Sequence, residues 1–362
     1  MMLTDCKKAV IIINRTTGIG VAKAKKVFQA LNGKPEAILD DVSACRQRLL
    51  GVLSERDYGE LCVSLQTGTE EIERTLTRKN IEVVTCLDDE YPKQLRMYDN
   101  SPVLLYCKGD VKLMQSDCFA VVGTRYPTKY GVRVTEDFVG NLSSRFCIVS
   151  GMARGVDSVA HRACLDNMGK TIAVLGCGVD VVYPPENKGL YDEIVERGLV
   201  ISEYAPGEIA NAHNFPARNR IISGLSRGVL VTEAGEKSGT ILTINYALEQ
   251  GKDVFCVPGS IYNKASAGCN LYIKDCQSRA VTDVNDIYDE IGLTKVDLSK
   301  PSAIQLDVNE SAILDELNKN GEMHFEELLQ IVDLTVPQLN SLLIKMESVG
   351  LITKTKHNYW SV

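Results

Sequence analysis

Ser150-Gly-Met-Ala-Arg-Gly-Val-Asp-Ser-Val-Ala-His161 is the stretch whose reading decides the fold. The apolar run Phe146-Cys-Ile-Val149 ahead of it reads as a buried strand, and the apolar spacing over 156–168 suits a helix. A strand that breaks at a glycine and turns into a helix gathers unsatisfied backbone N–H groups at one point. The helix dipole adds positive potential there, so the turn suits an anion. Ser150 closes the strand, and Gly151 and Gly155 would let a ligand approach the main chain. Arg154 supplies a cation, and Asp157 stands where an N-cap is expected.

The same design recurs nearby. Phe119-Ala-Val-Val-Gly123-Thr124-Arg125 is a second apolar strand ending in glycine and arginine. Gly228-Val-Leu-Val-Thr-Glu233-Ala-Gly235-Glu-Lys-Ser238-Gly239-Thr240 is a third, opening a helix over 241–250. Turns of this kind on one parallel sheet all face its carboxyl edge and can line one groove. The expectation is a groove that holds several phosphates in a row.

Around these turns the chain alternates strand-like and helix-like segments. Candidate strands are 81–86, 103–107, 118–122, 146–149, 171–175, 199–202, 229–231 and 254–257, with a last helix at 283–291. Near-continuous apolar strands with crossover helices predict an α/β fold: an extended Rossmann-like parallel sheet covered on both faces. Residues 1–80 read as a helical domain. Its Thr17-Gly18-Ile19-Gly20 is either a helix-hairpin-helix turn, whose N–H groups touch a DNA phosphate, or a plain turn between packed helices. Residues 81–291 form the Rossmann-like domain, and the polar 292–309, containing Pro301, reads as a linker. Within 310–362, three short helices (311–318, 324–332, 336–349) and a ribbon over 351–362 fit a winged helix. Thr335-Val-Pro-Gln338 is a capping box for the third of these helices, and Gly350 its stop.

Composition narrows the function. The chain has 362 residues, 44% hydrophobic and 24% charged, ordinary for a soluble globular protein. No apolar run reaches the ~20 residues of a membrane span, and the N-terminus is a poor signal peptide, so a cytoplasmic location is expected. None of the 12 cysteines forms a Cys-x-x-Cys pair, and most lie in apolar runs, so they read as reduced core residues with no metal site. Net charge is −7, divided as +3 over 1–80, −5 over 81–301 and −5 over 302–362. No segment is the basic body of a typical duplex-DNA binder; a polyanion has to be met by a local patch. The acidic tail, whose third helix carries one cation, Lys345, favours contact with protein over duplex binding, with only Lys354 and Lys356 on the wing opposing its charge.

Known catalytic patterns are incomplete. No Gly-x-x-x-x-Gly-Lys-Ser/Thr loop occurs, and Gly176-Cys-Gly178-Val-Asp-Val181 lacks the third glycine of a dinucleotide fingerprint. Asp157 and His161 lie one helical turn apart, as an acid–base pair or as a cap plus a hydrogen-bonded histidine stiffening the turn. Glu233 is either catalytic or a brace for the 235–239 loop. The segment Asn214-Phe215-Pro-Ala-Arg218-Asn219-Arg220-Ile-Ile-Ser223-Gly-Leu-Ser226 packs a ring, two arginines and an asparagine ahead of an apolar run. Arginine bonds phosphate well, and an exposed ring stacks on bases. In the competing reading Phe215 is core and the arginines pair with Glu203 or Glu208.

Val122-Gly-Thr-Arg125, the 150–161 turn, Phe215-Pro-Ala-Arg-Asn-Arg-Ile-Ile-Ser-Gly-Leu-Ser226, Glu233 with Ser238-Gly-Thr240, and Val257-Pro-Gly259 occur in this order. Together they resemble the DNA-processing protein DprA (Smf) family, over about residues 81–291. The resemblance implies a non-enzymatic protein without cofactor. Such a protein binds single-stranded DNA on the Rossmann-like domain, dimerises through it, and helps load RecA recombinase on incoming DNA in natural transformation. It places Gly123, Thr124 and Arg125 at phosphate, Ser150, Gly151 and Gly155 in the second glycine turn, and Phe215, Arg218 and Asn219 in the aromatic and basic element. Where relatives carry a further basic residue before the ring, this chain offers only His213. Arg154, Arg220, Ser238, Gly239 and Thr240 complete the expected DNA-binding set, with Asp157, His161 and Glu233 as structural supports. The alternative is an enzyme like the nucleotide-cleaving phosphoribohydrolases. Their Pro-Gly-Gly-x-Gly-Thr run and following Glu are replaced here by Ala234-Gly-Glu-Lys-Ser-Gly239-Thr240 and by Leu242 and Thr243.

Overall fold

The apolar runs become one sheet. The computed structural model describes residues 3–295, 307–332, 334–348, 351–356 and 358–361. Its strands are β1 (Glu82–Thr85), β2 (Leu104–Gly109), β3 (Cys118–Val122), β4 (Cys147–Ser150), β5 (Thr171–Val174), β6 (Leu199–Ser202), β7 (Gly228–Val231), β8 (Asp253–Cys256) and β9 (Arg279–Ala280). In space they run β1-β2-β6-β5-β4-β3-β7-β8-β9. From β6 to β9 every pairing is parallel. The expectation of an all-parallel sheet needs one correction: β1 pairs with β2, and β2 with β6, antiparallel. The link from β1 to β2 contains only the four-residue helix Lys93–Arg96, whereas a parallel neighbour needs a full crossover unit.

The chain steps outward from β3 through β4 and β5 to β6, then crosses back to place β7, β8 and β9 on the other side of β3. That reversal opens a crevice beyond the carboxyl ends of β3 and β7, the usual ligand position in such sheets. Helices cover both faces because side chains alternate along each strand. Leu104 and Tyr106 join one core with Leu165, Tyr191 and Ile194. Leu105 and Cys107 join the opposite core with Ile221, Ile222, Ile244 and Ala247.

The first core also takes in Ala9, Ile13, Phe28, Leu61 and Leu76 from the N-terminal helices. The chain accordingly divides into the compact units Met1–Lys295 and Val296–Val362, and packing draws no boundary at residue 80. Gly18 has φ +84°, and a Cβ there would lie 2.5 Å from Asp57 Oδ1. Asp57 bonds Lys23 at 2.7 Å and caps the helix Glu55–Thr67 together with Ser54. The Asp57–Lys23 pair fills the space over the glycine, and Lys23 also donates to Gly18 O at 3.0 Å, tying the turn to the helices it joins.

In the second unit, helices Val308–Asn320, Phe325–Ile331 and Val336–Ser348 pack with strands Met323–His324, Thr353–Lys356 and Tyr359–Ser361. Ile313, Leu317, Leu328, Leu339, Leu343 and Trp360 form its core. The Thr335 backbone N–H donates to Gln338 Oε1 at 2.9 Å, as the capping pattern requires. The stop expected at Gly350 and most of the expected linker, residues 296–306, lie outside the described residues.

Candidate nucleic-acid interface

The three glycine turns lock into one another at the switch point. Thr124 N–H donates to Glu233 O at 2.7 Å, joining the turn after β3 to the turn after β7. Val156 N–H donates to Thr124 O at 3.1 Å, joining it to the turn after β4. Thr240 Oγ1 donates to Gly123 O at 2.8 Å, and Ser238 Oγ to Thr240 Oγ1 at 2.9 Å. Beside this knot lies one cleft of about 1160 Å³. Gly123, Thr124, Arg125, Asp157, Phe215, Arg218, Asn219, Ser238, Gly239 and Thr240 all line it. Ser150, Gly151, Arg154, Gly155, His161, His213, Arg220 and Glu233 do not.

The glycines serve the protein more than a ligand. A Cβ on Gly123 would lie 2.6 Å from Val156 Cγ2, and one on Gly155 would lie 2.4 Å from Thr124 O. One on Gly151 would meet Arg218 Nη2 at 2.6 Å and Asp157 Oδ2 at 2.7 Å. Only Gly239 among the expected site glycines has open space beside it. The amide groups of the 150–161 turn are likewise used internally. Gly151 and Ala153 N–H donate to Asp157 Oδ2 at 3.1 and 3.3 Å. Asp157 is therefore not the N-cap; Gly155 holds that position, and Asp157, within the helix Val156–Asp166, folds the turn back on itself. Ser150 is fully buried, its hydroxyl donating to Val121 O at 2.7 Å. The expectation that this turn offers free amides to phosphate is corrected for Gly151 and Ala153, whose N–H groups its own carboxylate takes.

Arg218 sits beneath the cleft, 4% exposed. Its Nη1 donates to Gly151 O at 2.7 Å and also to Val174 O, tying β4 to β5. Burial lowers the Arg218 pKa, while Asp157 opposes that shift. Burial raises the Asp157 pKa against the pull of Arg218. The two buried charges stand on either side of Gly151 without a direct ion pair, and the carbonyl bonds make Arg218 a structural cation before it is a phosphate contact.

His161 is fully buried, with Nδ1 hydrogen-bonded to Thr171 Oγ1 at 2.7 Å. Burial, with Arg218 nearby, pushes its pKa down to about 3, so it stays neutral in the folded protein through the range where a catalytic histidine works. The unfolded chain takes up a proton below about pH 6.5 that the folded one refuses until near pH 3. This group's stabilisation is thus fully present above about pH 6.5 and is lost by up to ~1.4 kcal/mol per pH unit on acidification. Urea unfolding at pH 7 and pH 5 checks it: His161→Gln should weaken the acid loss by about 2 kcal/mol relative to wild type.

Glu233, buried at the end of β7, accepts from Thr128 N–H at 2.8 Å and Thr128 Oγ1 at 2.9 Å. It is a brace, as one reading allowed, but for the start of the helix Lys129–Leu142 rather than for the 235–239 loop.

The aromatic and basic segment lies inside the helix Asn214–Leu225, with Pro216 in its first turn, where proline costs no hydrogen bond. Phe215 is half-buried on the cleft wall, as the expected open ring requires. It packs against Gly176, where a Cβ would meet its Cδ1 at 2.8 Å, and against Tyr183, ring centroids 5.2 Å apart. Arg220 turns away: it pairs with Glu203 through two 2.6 Å bonds and donates to Asn100 O at 2.8 Å. The competing reading is right for this arginine, and Arg220 leaves the site. His213 is exposed outside the cleft lining, and Arg154 pairs with Glu186.

Two cations that sequence reading did not select stand in the cleft. Lys237 and Lys264 line it with Arg125; all three are exposed, and none has an ion pair among the described residues. Lys237 belongs to the turn after β7, of which Ser238, Gly239 and Thr240 alone were expected in the site. Lys264 comes close because Gly235 leaves room: a Cβ there would lie 3.1 Å from Lys264 O. Tyr126 and Tyr183 also line the cleft.

This geometry can be set beside known proteins. Residues 82–292 match the family model described as DNA recombination-mediator protein A. The chain belongs to that family. This is the DprA/Smf family that the ordered motifs indicated. The DNA processing protein DprA of Streptococcus pneumoniae is 47% identical over 206 residues, 57% of this chain and 73% of that protein. A crystal structure of DprA from Streptococcus pneumoniae matches with TM-score 0.69 at 37% identity, covering 80% of this chain and 99% of that one. A DNA processing protein A from Helicobacter pylori, solved for its single-stranded DNA binding mode, matches with TM-score 0.53 at 30% identity, covering 58% and 95%. The family places the chain in DNA processing and recombination. No helix among the described residues is long and apolar enough to cross a membrane.

Proposed function

We propose that the cleft binds single-stranded DNA without reading its sequence. The observation that carries this is the gathering of three cations with no ion pair among the described residues, Arg125, Lys237 and Lys264, and the Phe215 ring in one open cleft. A single strand exposes phosphates and base faces together, and such a surface meets both. The Helicobacter pylori relative, described by its single-strand binding mode, supports the reading. The phosphates meet side-chain cations and the open edge at Gly239, while most of the glycine-turn amides hold the turns together.

Binding is the whole of the activity in this reading. Asp157, His161 and Glu233, the candidate acid–base groups, are buried and committed to internal hydrogen bonds. We place the protein in the cytoplasm as a homodimer through its Rossmann-like region, protecting incoming DNA and helping load RecA in natural transformation and recombination. The description of the family as a recombination mediator supports this role. The winged-helix unit acts through protein: Lys345, the one cation of its third helix, bonds Glu310 at 2.8 Å.

Competition anisotropy tests the reading. Unlabelled single strand should displace a labelled oligothymidylate far better than duplex of equal length, and nucleoside monophosphates incubated with the protein should release no base. Equal competition by duplex, or released base, contradicts it.

A further inference from the structure

Phe215 does not face the cleft alone. One side of its ring rests on Gly176 and another on Tyr183, centroids 5.2 Å apart with planes tilted by 31°. Tyr183 is 42% exposed and Tyr126, next to Arg125, is 79% exposed; both line the cleft. Large rings this open, lining a cleft, suit a flat partner. Tyr126 follows the exposed cation Arg125 directly in the chain, so an open ring and a phosphate-binding cation stand side by side at the cleft.

Resting on the single-strand reading, we infer that Tyr183 and Tyr126 form a nucleobase-stacking subsite adjoining the phosphate contact of Arg125, with Phe215 as the backing ring of Tyr183. Bases stack on the outer face of Tyr183 and on Tyr126. The subsite takes any base, because every base has a π-face. It takes nothing from a strand without bases, which separates it from the cations.

The test compares fluorescent oligothymidylate with an abasic sugar–phosphate strand of equal length, titrated into the full chain. Wild type should bind oligothymidylate more tightly. Tyr183→Ala and Tyr126→Ala should each lower oligothymidylate affinity by roughly 5- to 100-fold and leave abasic affinity unchanged, while Tyr183→Phe keeps the wild-type value. Tyr126 is so exposed that its replacement leaves the fold untouched, so Tyr126→Ala stands as a control if Tyr183→Ala disturbs Phe215. Unchanged oligothymidylate affinity in both alanine variants overturns the subsite, as does a Tyr183→Phe loss equal to that of Tyr183→Ala. If Arg125→Ala still weakens both strands in that case, the single-strand reading survives without the subsite. If Arg125→Ala also has no effect, the reading itself fails.

Discussion

Arg218→Ala should cost about 3–5 kcal/mol of folding stability, the size expected when a large buried side chain that donates to buried carbonyls beside an opposite charge is truncated. Three losses combine. Asp157 is left as an uncompensated buried carboxylate beside Gly151. The carbonyls of Gly151 and Val174 lose their donor at a point where water has no access. A space opens under the cleft between β4 and β5. Arg218→Lys should recover only part, since one ammonium on a flexible stem cannot serve both carbonyls as Nη1 does and also replace the Nε bond to Asn219 Oδ1 at 3.2 Å. Urea unfolding followed by circular dichroism measures this. A variant with wild-type stability and lost DNA affinity would instead make Arg218 a direct contact.

Removing the three open cations should do the reverse. Arg125→Ala, Lys237→Ala and Lys264→Ala change exposed side chains with no ion pair among the described residues, so each should shift stability by no more than ~0.5 kcal/mol. Each removes a charge-assisted bond to phosphate, of about 1.5 kcal/mol or more, near tenfold in affinity. The triple variant should lose about a thousandfold if the three act independently. Arg220→Ala, by contrast, breaks the pair with Glu203 and should affect stability more than binding. The two groups of arginines and lysines are alike in sequence but divide by burial.

That division explains what could be read before the structure. The strands, the glycine turns and their meeting at the carboxyl edge were legible, because apolar runs broken by glycine have few other ways to fold. Arg125 was legible as an open group because it follows the turn after β3, whereas for Phe215 the sequence left an open ring and a core ring both standing, and the ring is half-buried on the cleft wall. The role of the turn amides was not, since whether a helix start is free or filled depends on where one carboxylate, Asp157, points. Arg218 and Arg220 differ by two positions, yet one lies beneath the cleft and the other reaches Glu203, a helical rotation that spacing alone does not resolve into partners. Lys264 was invisible because its approach depends on backbone contact with Gly235, far from it in sequence. The antiparallel edge of the sheet depended on the short link between β1 and β2, which carries too little helix for a crossover.

The salt dependence of single-strand binding tests the central claim most directly. Affinity of the full chain for oligothymidylate, measured by anisotropy across a salt series, should fall linearly on logarithmic axes, with a slope of about −0.7 per phosphate neutralised. The triple variant of Arg125, Lys237 and Lys264 should show a slope shallower by about 2, with an unchanged urea midpoint. A triple variant that binds with wild-type affinity and wild-type slope would place the DNA elsewhere and contradict the account.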